Sequence, residues 1–363
     1  MGKNTFELII DGKVEATTSI EVADDIKFSV YFERKKGYNG EFGFDWMRKN
    51  YSTIANNYEE LKKEYKDAQI NDQEYFVPYL SMFPTQEEVV FNLKLNTLEG
   101  KAKKDDIIKL PSKNGITVEP NEISVKDLEK EQNEIEKEKT KDDVSKITRT
   151  EIKVVCENAL SEDTNIELLD KNDNPVGEII LVKNDEVYDL EIKLVKVCWD
   201  RHLEMLREDY DREIIGLEDF MINNSLNQAL IKPKILNKNF DAIEHIKVND
   251  LPNDFLTGGS FLNSKGRRGL KKISESAQNF KGIVVFYLGL EHQEIKAGDA
   301  QTFPLDDQFL FLYINSSYSR DLSHEIGHTL GLNHTFFEER TLGAKLESTL
   351  SNYEEQLTTQ KLL

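Results

Sequence analysis

The chain has 363 residues, 38% hydrophobic and 31% charged, with a formal net charge of −20 from 47 basic and 67 acidic side chains. That length suits two or three domains with ordinary cores, and the acidic balance excludes a phosphate-backbone partner, since nucleic-acid binding selects basic faces. The longest apolar runs, such as Ile283 to Leu290 and Phe309 to Ile314, fall far short of the roughly 20 residues a membrane helix needs, so no membrane span is predicted.

In chain order, the first segment reads as strands. Phe6, Leu8 and Ile10 alternate with polar residues, Asp11-Gly12 is a hairpin turn signal, and Ile26, Phe28, Val30 and Phe32 repeat the period of two. The N-terminus carries neither an apolar signal-peptide core nor a myristoylation pattern. The expectation is a chain that is cytoplasmic before delivery, or secreted without a cleaved signal peptide. The period then changes. Tyr51, Ile54, Tyr58, Leu61 and Tyr65 recur at three and four residues, predicting a helix of about 20 residues whose aromatic stripe packs into a core. Alternation returns at Val89, Phe91, Leu93 and Leu95, so residues 1–125 read as a mainly-β region with an inserted helix.

Residues 126–148 are rich in Lys and Glu and poor in apolar side chains. They read as a charged linker, or as an exposed connecting helix supported by opposite charges at helical spacing. In 149–200 four strand-like segments follow, near Ile152 to Cys156, Ile166 to Leu168, Val176 to Val182 and Val187 to Trp199, with a turn at Asp170 to Pro175. They are half of an immunoglobulin-like sandwich that strands from 87–125 would complete. The two cysteines, Cys156 and Cys198, each fall in such a strand, either bridged across the sandwich or as small buried apolar side chains.

From His202 the pattern turns helical, with Leu203, Leu206, Leu217, Phe220, Met221, Leu226 and Leu230 in apolar stripes, and residues 201–363 read as the last domain. Gly258-Gly259 and the run Lys265 to Gly269 read as loop punctuation, with Arg267 and Arg268 on a solvated surface or holding a carboxylate. Ile283 to Leu290 and Phe309 to Ile314, apolar on both faces, predict central strands. Between them, Glu291 to Pro304 is an expected edge strand that can pair with an extended peptide. Ser319 or Asp321 is the expected cap of the next helix.

That helix carries the candidate chemistry. His324-Glu325-Ile326-Gly327-His328-Thr329-Leu330-Gly331-Leu332-Asn333-His334 holds three of the six histidines. On a helix, His324 and His328 share one face and aim their imidazoles at a common centre, the spacing of a zinc-binding pair. Glu325 stands about 100° further round, where it can take a proton from a water at the metal. Gly331 can adopt the left-handed conformation that ends a helix, and the turn would return His334 as a third ligand. Three imidazoles leave one tetrahedral position open, as in a catalytic zinc site and unlike a closed structural one. His202, His245 and His292 have no paired spacing and read as ordinary histidines.

The run HExxHxxGxxH resembles the signature of the metzincin zinc endopeptidases, and its continuation into Thr335-Phe336 is most similar to the pappalysin and cytophagalysin branch. The resemblance covers about a dozen residues. It implies an α+β zinc peptidase domain with strand, short loop and metal helix in that order. It also implies Zn2+ held by His324, His328 and His334, Glu325 as general base, and a protein or peptide substrate. The family's downstream methionine turn has no counterpart, because the methionines are Met1, Met47, Met82, Met205 and Met221. Leu350, for the apolar floor, and Tyr353, for a side chain approaching the zinc, are the nearest substitutes.

Cys156 to Leu168, with Pro175-Val-Gly-Glu-Ile-Ile, resembles β modules that precede toxin domains in Bacteroidota effectors. That implies delivery by a type VI apparatus, with a secretion component and a cognate inhibitor as partners. The expected fold is therefore multidomain, a mainly-β N-terminal region followed by the zinc peptidase domain. The expected function is a zinc endopeptidase, secreted as an antibacterial or host-directed effector. The alternatives are a β-domain binding or delivery protein whose C-terminal domain binds zinc without catalysis, and a zinc hydrolase of non-peptide amides.

Overall fold

The computed structural model describes residues 2–10, 13–22, 26–48, 57–84, 88–138, 149–199, 207–238, 240–258, 261–278, 280–290, 296–300, 308–313, 316 and 318–332. The chain forms two compact units. One comprises Met1–Asn39, Gly43–Lys49 and Glu59–Asp185, and the other Gly40–Phe42, Asn50–Tyr58 and Glu186–Leu363. No helix of the described residues is long and apolar enough to cross a membrane.

Strands dominate the first unit: β1 (Gly2–Ile10), β2 (Lys13–Val22), β3 (Lys27–Arg34), β4 (Gly43–Asp45), β5 (Lys66–Ile70), β6 (Gln73–Val77), β7 (Tyr79–Ser81), β8 (Val89–Glu99), β9 (Ile107–Lys109), β10 (Ile116–Glu119), β11 (Glu122–Ser124), β12 (Glu151–Cys156), β13 (Thr164–Leu169) and β14 (Pro175–Leu181). The pairs β1-β2 and β5-β6 are antiparallel hairpins. The others make two sheets, in the orders β10-β12-β8-β3 and β11-β9-β13-β14-β7-β4. Strands from 89–124 thus share sheets with β12 and β13. Alternation does its expected work in β3, where Phe28, Val30 and Phe32 are buried and the end residues Lys27 and Arg34 are exposed. Gly177 of β14 sets the approach of one sheet to the other, since a Cβ there would lie 2.7 Å from the Val30 carbonyl oxygen.

Two sequence expectations are corrected in this unit. Among the described residues the aromatic-stripe helix is confined to Tyr58–Lys62; residues 51–56 lie outside them. Tyr65 falls beyond the helix, where its hydroxyl donates to Asp45 at 2.6 Å. The chain is already turning into the β5-β6 hairpin, and a side-chain hydrogen bond replaces the last helical turn. Nor is the charged run only a solvated connector. Val125–Glu138 is a helix that packs along β8 and buries Val125, Leu128 and Ile135. Glu131, inside this apolar stripe, accepts from the Thr150 amide at 2.6 Å and pairs with Arg149 at 3.2 Å, which satisfies a carboxylate that burial would otherwise penalise.

The second unit is built on β15 (Tyr188–Cys198), β16 (Ile231–Ile235), β17 (Glu244–Lys247), β18 (Leu256–Thr257), β19 (Phe261–Leu262), β20 (Ile283–Leu288), β21 (Gly298–Ala300) and β22 (Phe309–Leu312), with helices Arg207–Asn224, Ser264–Ile273 and Tyr318–Thr329. Its main sheet has the order β16-β15-β20-β22-β21, and β17 pairs with the second half of β15. Its pairs are parallel except β21 with β22, which is antiparallel and leaves β21 at the end of the sheet order. The segment read from sequence as the last strand of the 149–200 unit, β15, is therefore an inner strand of this second sheet. Ile192, Leu194, Val195, Val197 and Cys198 are each at most 1% exposed, and a strand buried on both faces belongs inside a parallel sheet covered by helices. β20 buries all six of its residues, as a central strand should.

Cys156 and Cys198 consequently sit in different units. Both are buried and neither is in a disulfide, so of the two readings the structure has two small buried side chains and no bridge.

The run Lys265 to Gly269 lies inside a helix, not a loop. Asn263 caps it by accepting from the Gly266 amide at 2.9 Å. The glycines serve packing: a Cβ on Gly269 would lie 2.0 Å from Phe255 Cζ, and one on Gly266 2.5 Å from the Phe255 carbonyl oxygen.

Candidate metal centre

The helix Tyr318–Thr329 is anchored by two residues four apart. Leu322 and Ile326 are fully buried against Leu310 and Leu312 of β22 and Leu217 and Met221 of the helix Arg207–Asn224. Ser319 and Asp321, expected as caps, fall within the helix, which already starts at Tyr318; Asp321 lies in the first turn, where its charge favours the dipole.

The helix ends in a Schellman turn. The Leu332 amide donates to the Gly327 carbonyl and the Gly331 amide to the His328 carbonyl, both at 2.9 Å. Gly331 has φ +93°, a left-handed conformation that glycine adopts without strain. Leu332 folds back over the helix, within 3.5 Å of where a Gly327 Cβ would stand.

His324 and His328 lie side by side, their ring centroids 4.6 Å apart and their planes at 78°. His328 Nδ1 lies 2.6 Å from the Leu332 carbonyl oxygen. A carbonyl only accepts, so the proton of this bond is on Nδ1, which leaves Nε2 as the ring nitrogen available to a metal. The turn at Gly331 therefore supplies the carbonyl that orients and tautomerises a candidate ligand. Sequence reading missed this role of Leu332. The signal was there: a residue directly after a C′ glycine closes the Schellman turn and brings its own backbone toward the last helical turn.

Glu325, between the two histidines in sequence, reaches the edge strand β21 and is only 7% exposed. A Cβ on Gly298 of β21 would lie 2.5 Å from Glu325 Oε1 and 2.7 Å from its Cδ, so the carboxyl occupies space that any other residue at 298 would fill. Burial first, then the charges of Asp299 and Asp321, push this carboxyl up to about 7, opposed by Lys296 and a backbone hydrogen bond from Ala300.

Arg267 joins this wall. Its Nη1 lies 3.4 Å from Asp299 Oδ2 and 3.4 Å from the hydroxyl of buried Tyr313, whose phenol burial pushes up to about 12. Arg267 thus holds a carboxylate, the second of the two roles its sequence context allowed, and ties the helix Ser264–Ile273 to β21 and to the end of β22. No local pattern announces this, because its partners arrive from remote strands.

Among the described residues no group of three or more His, Cys, Asp or Glu side chains is placed to hold a metal. His324 and His328 form a two-nitrogen pair, while His334, Leu350 and Tyr353 lie outside the described residues. The donor chemistry of the pair fits zinc, for which neutral imidazole nitrogen is a preferred ligand.

No protein-family model matches the chain, and no curated protein matches its sequence. Solved structures resemble it in part, among them the following two. One, a chaperone–substrate complex, shares 16% identity at a TM-score of 0.29 over 44% of this chain and 32% of its own. The other, metalloproteinase-II from Bacteroides fragilis, shares 10% identity at a TM-score of 0.25 over 78% of this chain and 83% of its own. Likenesses this low establish neither family nor function.

Proposed function

We infer that this chain is a zinc-dependent endopeptidase whose site is formed by His324, His328 and Glu325 facing the edge strand β21. The observation that supports it best is the placement of the buried Glu325 carboxyl against the backbone of β21, beside an imidazole pair on the same helix. β21 ends the sheet order, and an end strand can take on an extended peptide through main-chain hydrogen bonds. Such binding reads backbone and not side chains, so it suits a polypeptide substrate with broad sequence tolerance. A peptide laid there runs its carbonyls past Glu325.

In this reading His324, His328 and His334 hold the metal, with Leu350 and Tyr353 as candidates for the floor of the site. Zinc bound there supplies Lewis acidity toward the scissile carbonyl and toward water. Glu325 takes the proton as water oxygen bonds to the carbonyl carbon, and passes it to the amine nitrogen as the C–N bond breaks. The Leu332 carbonyl keeps His328 in one tautomer throughout.

The test is cleavage of a denatured protein mixture before and after chelation. The expected result is cleavage lost with a chelator and restored by added zinc. Chelator-resistant cleavage would overturn the metal's role, and full zinc occupancy without cleavage would favour a zinc-binding delivery protein.

A further inference from the structure

We propose that the first unit carries a second, separate binding site, a pocket for a compact oxyanion formed by Arg34 and Arg48 around Trp46. Arg34 ends β3 and leads into a turn in which the Tyr38 amide donates to the Lys35 carbonyl at 3.1 Å and Gly37 takes φ +90°. This turn folds Tyr38 back, so that the Arg34 guanidinium lies 4.9 Å from the Tyr38 ring centroid and 4.5 Å from that of Trp46. Arg48 stacks on the same indole at 4.6 Å. Phe44 of β4, two residues before Trp46, stacks on it at 5.0 Å and 17° and supports the indole. A recess of about 340 Å³ opens here, lined by Glu33, Arg34, Lys35, Gly37, Tyr38 and Trp46.

Charge makes the place unusual. Carboxylates outnumber cations in this chain by 67 to 47, so a surface arginine ordinarily finds an acidic partner. Of the charged residues lining the recess, Glu33 is already paired with Arg149 at 3.0 Å and Lys35 with Glu151 at 2.9 Å. Arg34 and Arg48 make ring contacts and no ion pair among the described residues. Among the described residues, Arg34 in the lining and Arg48, stacked on the Trp46 indole that lines it, are thus the cations at the recess without an acidic partner.

Stacking uses the face of a guanidinium and leaves its N–H donors directed outward in the plane. Two such forks, held by aromatic rings and lacking a protein acceptor, match a carboxylate or phosphate group, which accepts in-plane pairs of hydrogen bonds. Both faces of the indole are engaged by Phe44 and the arginines, which disfavours ligand stacking and leaves the oxyanion as the recognised part. The overall negative charge selects against extended polyanions and for a small group, or one borne at a chain end.

Trp199→Phe leaves Trp46 as the sole tryptophan reporter, since the chain has two. This protein is titrated with inorganic phosphate and, separately, with succinate, at ionic strength held constant with sodium chloride. The expected result is a saturable change in Trp46 emission with at least one anion, the stronger response identifying phosphate or carboxylate as the group recognised. Arg34→Gln and Arg48→Gln should each weaken the midpoint about tenfold, the loss of roughly one charge-assisted hydrogen bond. Arg34→Lys keeps the charge and loses the fork, should also weaken binding, and replaces the glutamine variant if that one misfolds. No saturable change with either anion, an equal change on adding chloride alone, or midpoints unaltered in the arginine variants would overturn the site.

Discussion

Glu325 is seated by the absence of a side chain on Gly298. Alanine at 298 places a methyl group 2.5 Å from the carboxylate oxygen, and the carboxylate must swing out of the position that the proposed mechanism requires. Gly298→Ala should therefore lower kcat about tenfold or more, the scale of a misplaced catalytic group, with zinc content and KM close to the parent's; an unchanged kcat would show that the contact does not position the base. The same burial carries a cost in stability. The folded carboxyl is raised from 4.5 to about 7, so folded and unfolded chains are equally protonated at low pH. As pH climbs from the unfolded value through 7, only the folded state resists ionisation, and stability falls. In the metal-free protein, Glu325→Gln has no proton to lose and should exceed the parent by about 3 kcal/mol at pH 8, with little difference at pH 4, as read by urea unfolding in chelator. The spacing of His324, Glu325 and His328 was legible in the sequence because helical period alone places these three. Gly298 and Arg267 were not, since each acquires its meaning only when β21 reaches the helix faces.

Glycines within the helix Ser264–Ile273 show how an element can be misread from composition. Glycines and arginines crowded into a short run read as a loop, yet Gly266 and Gly269 are there so that Phe255 and Leu262 can sit against the helix backbone. Glycine's low helix propensity, about 1 kcal/mol per residue, is outweighed by that packing. Ordinarily Gly→Ala inside a helix stabilises it; Gly269→Ala should instead destabilise the fold by about 1–3 kcal/mol, because the Phe255 ring must move, and a raised unfolding midpoint would refute the packing role. In the charged helix Val125–Glu138, the buried residues Val125, Leu128 and Ile135 form a stripe too sparse to stand out among Lys and Glu. Leu128→Ala should cost about 2–5 kcal/mol, as for a core leucine, and a cost near zero would return that helix to solvent. By contrast β20, apolar throughout, was legible as a central strand. β15 was recognisable as a strand but not as a member of its sheet, since partner choice depends on helices far along the chain.

At the scale of the whole molecule, the sequence conveyed a β-rich first part and a helix-bearing last part. It did not convey where one yields to the other: the second unit takes up the chain from Glu186, and short pieces near 40–58 belong to it as well. Among the described residues, the proposed chemistry lies on one helix and one edge strand of that second unit, while the arginine recess belongs to the first. That the second unit is a zinc peptidase with Glu325 as its base is tested most directly by measuring zinc content and peptide cleavage on the same preparations of the parent and of Glu325→Gln. The expected result is about one zinc per chain in both proteins and cleavage reduced about 10²- to 10⁴-fold in the variant. A variant that keeps its zinc and cleaves at the parental rate, or a parent that cleaves without zinc, would contradict that assignment.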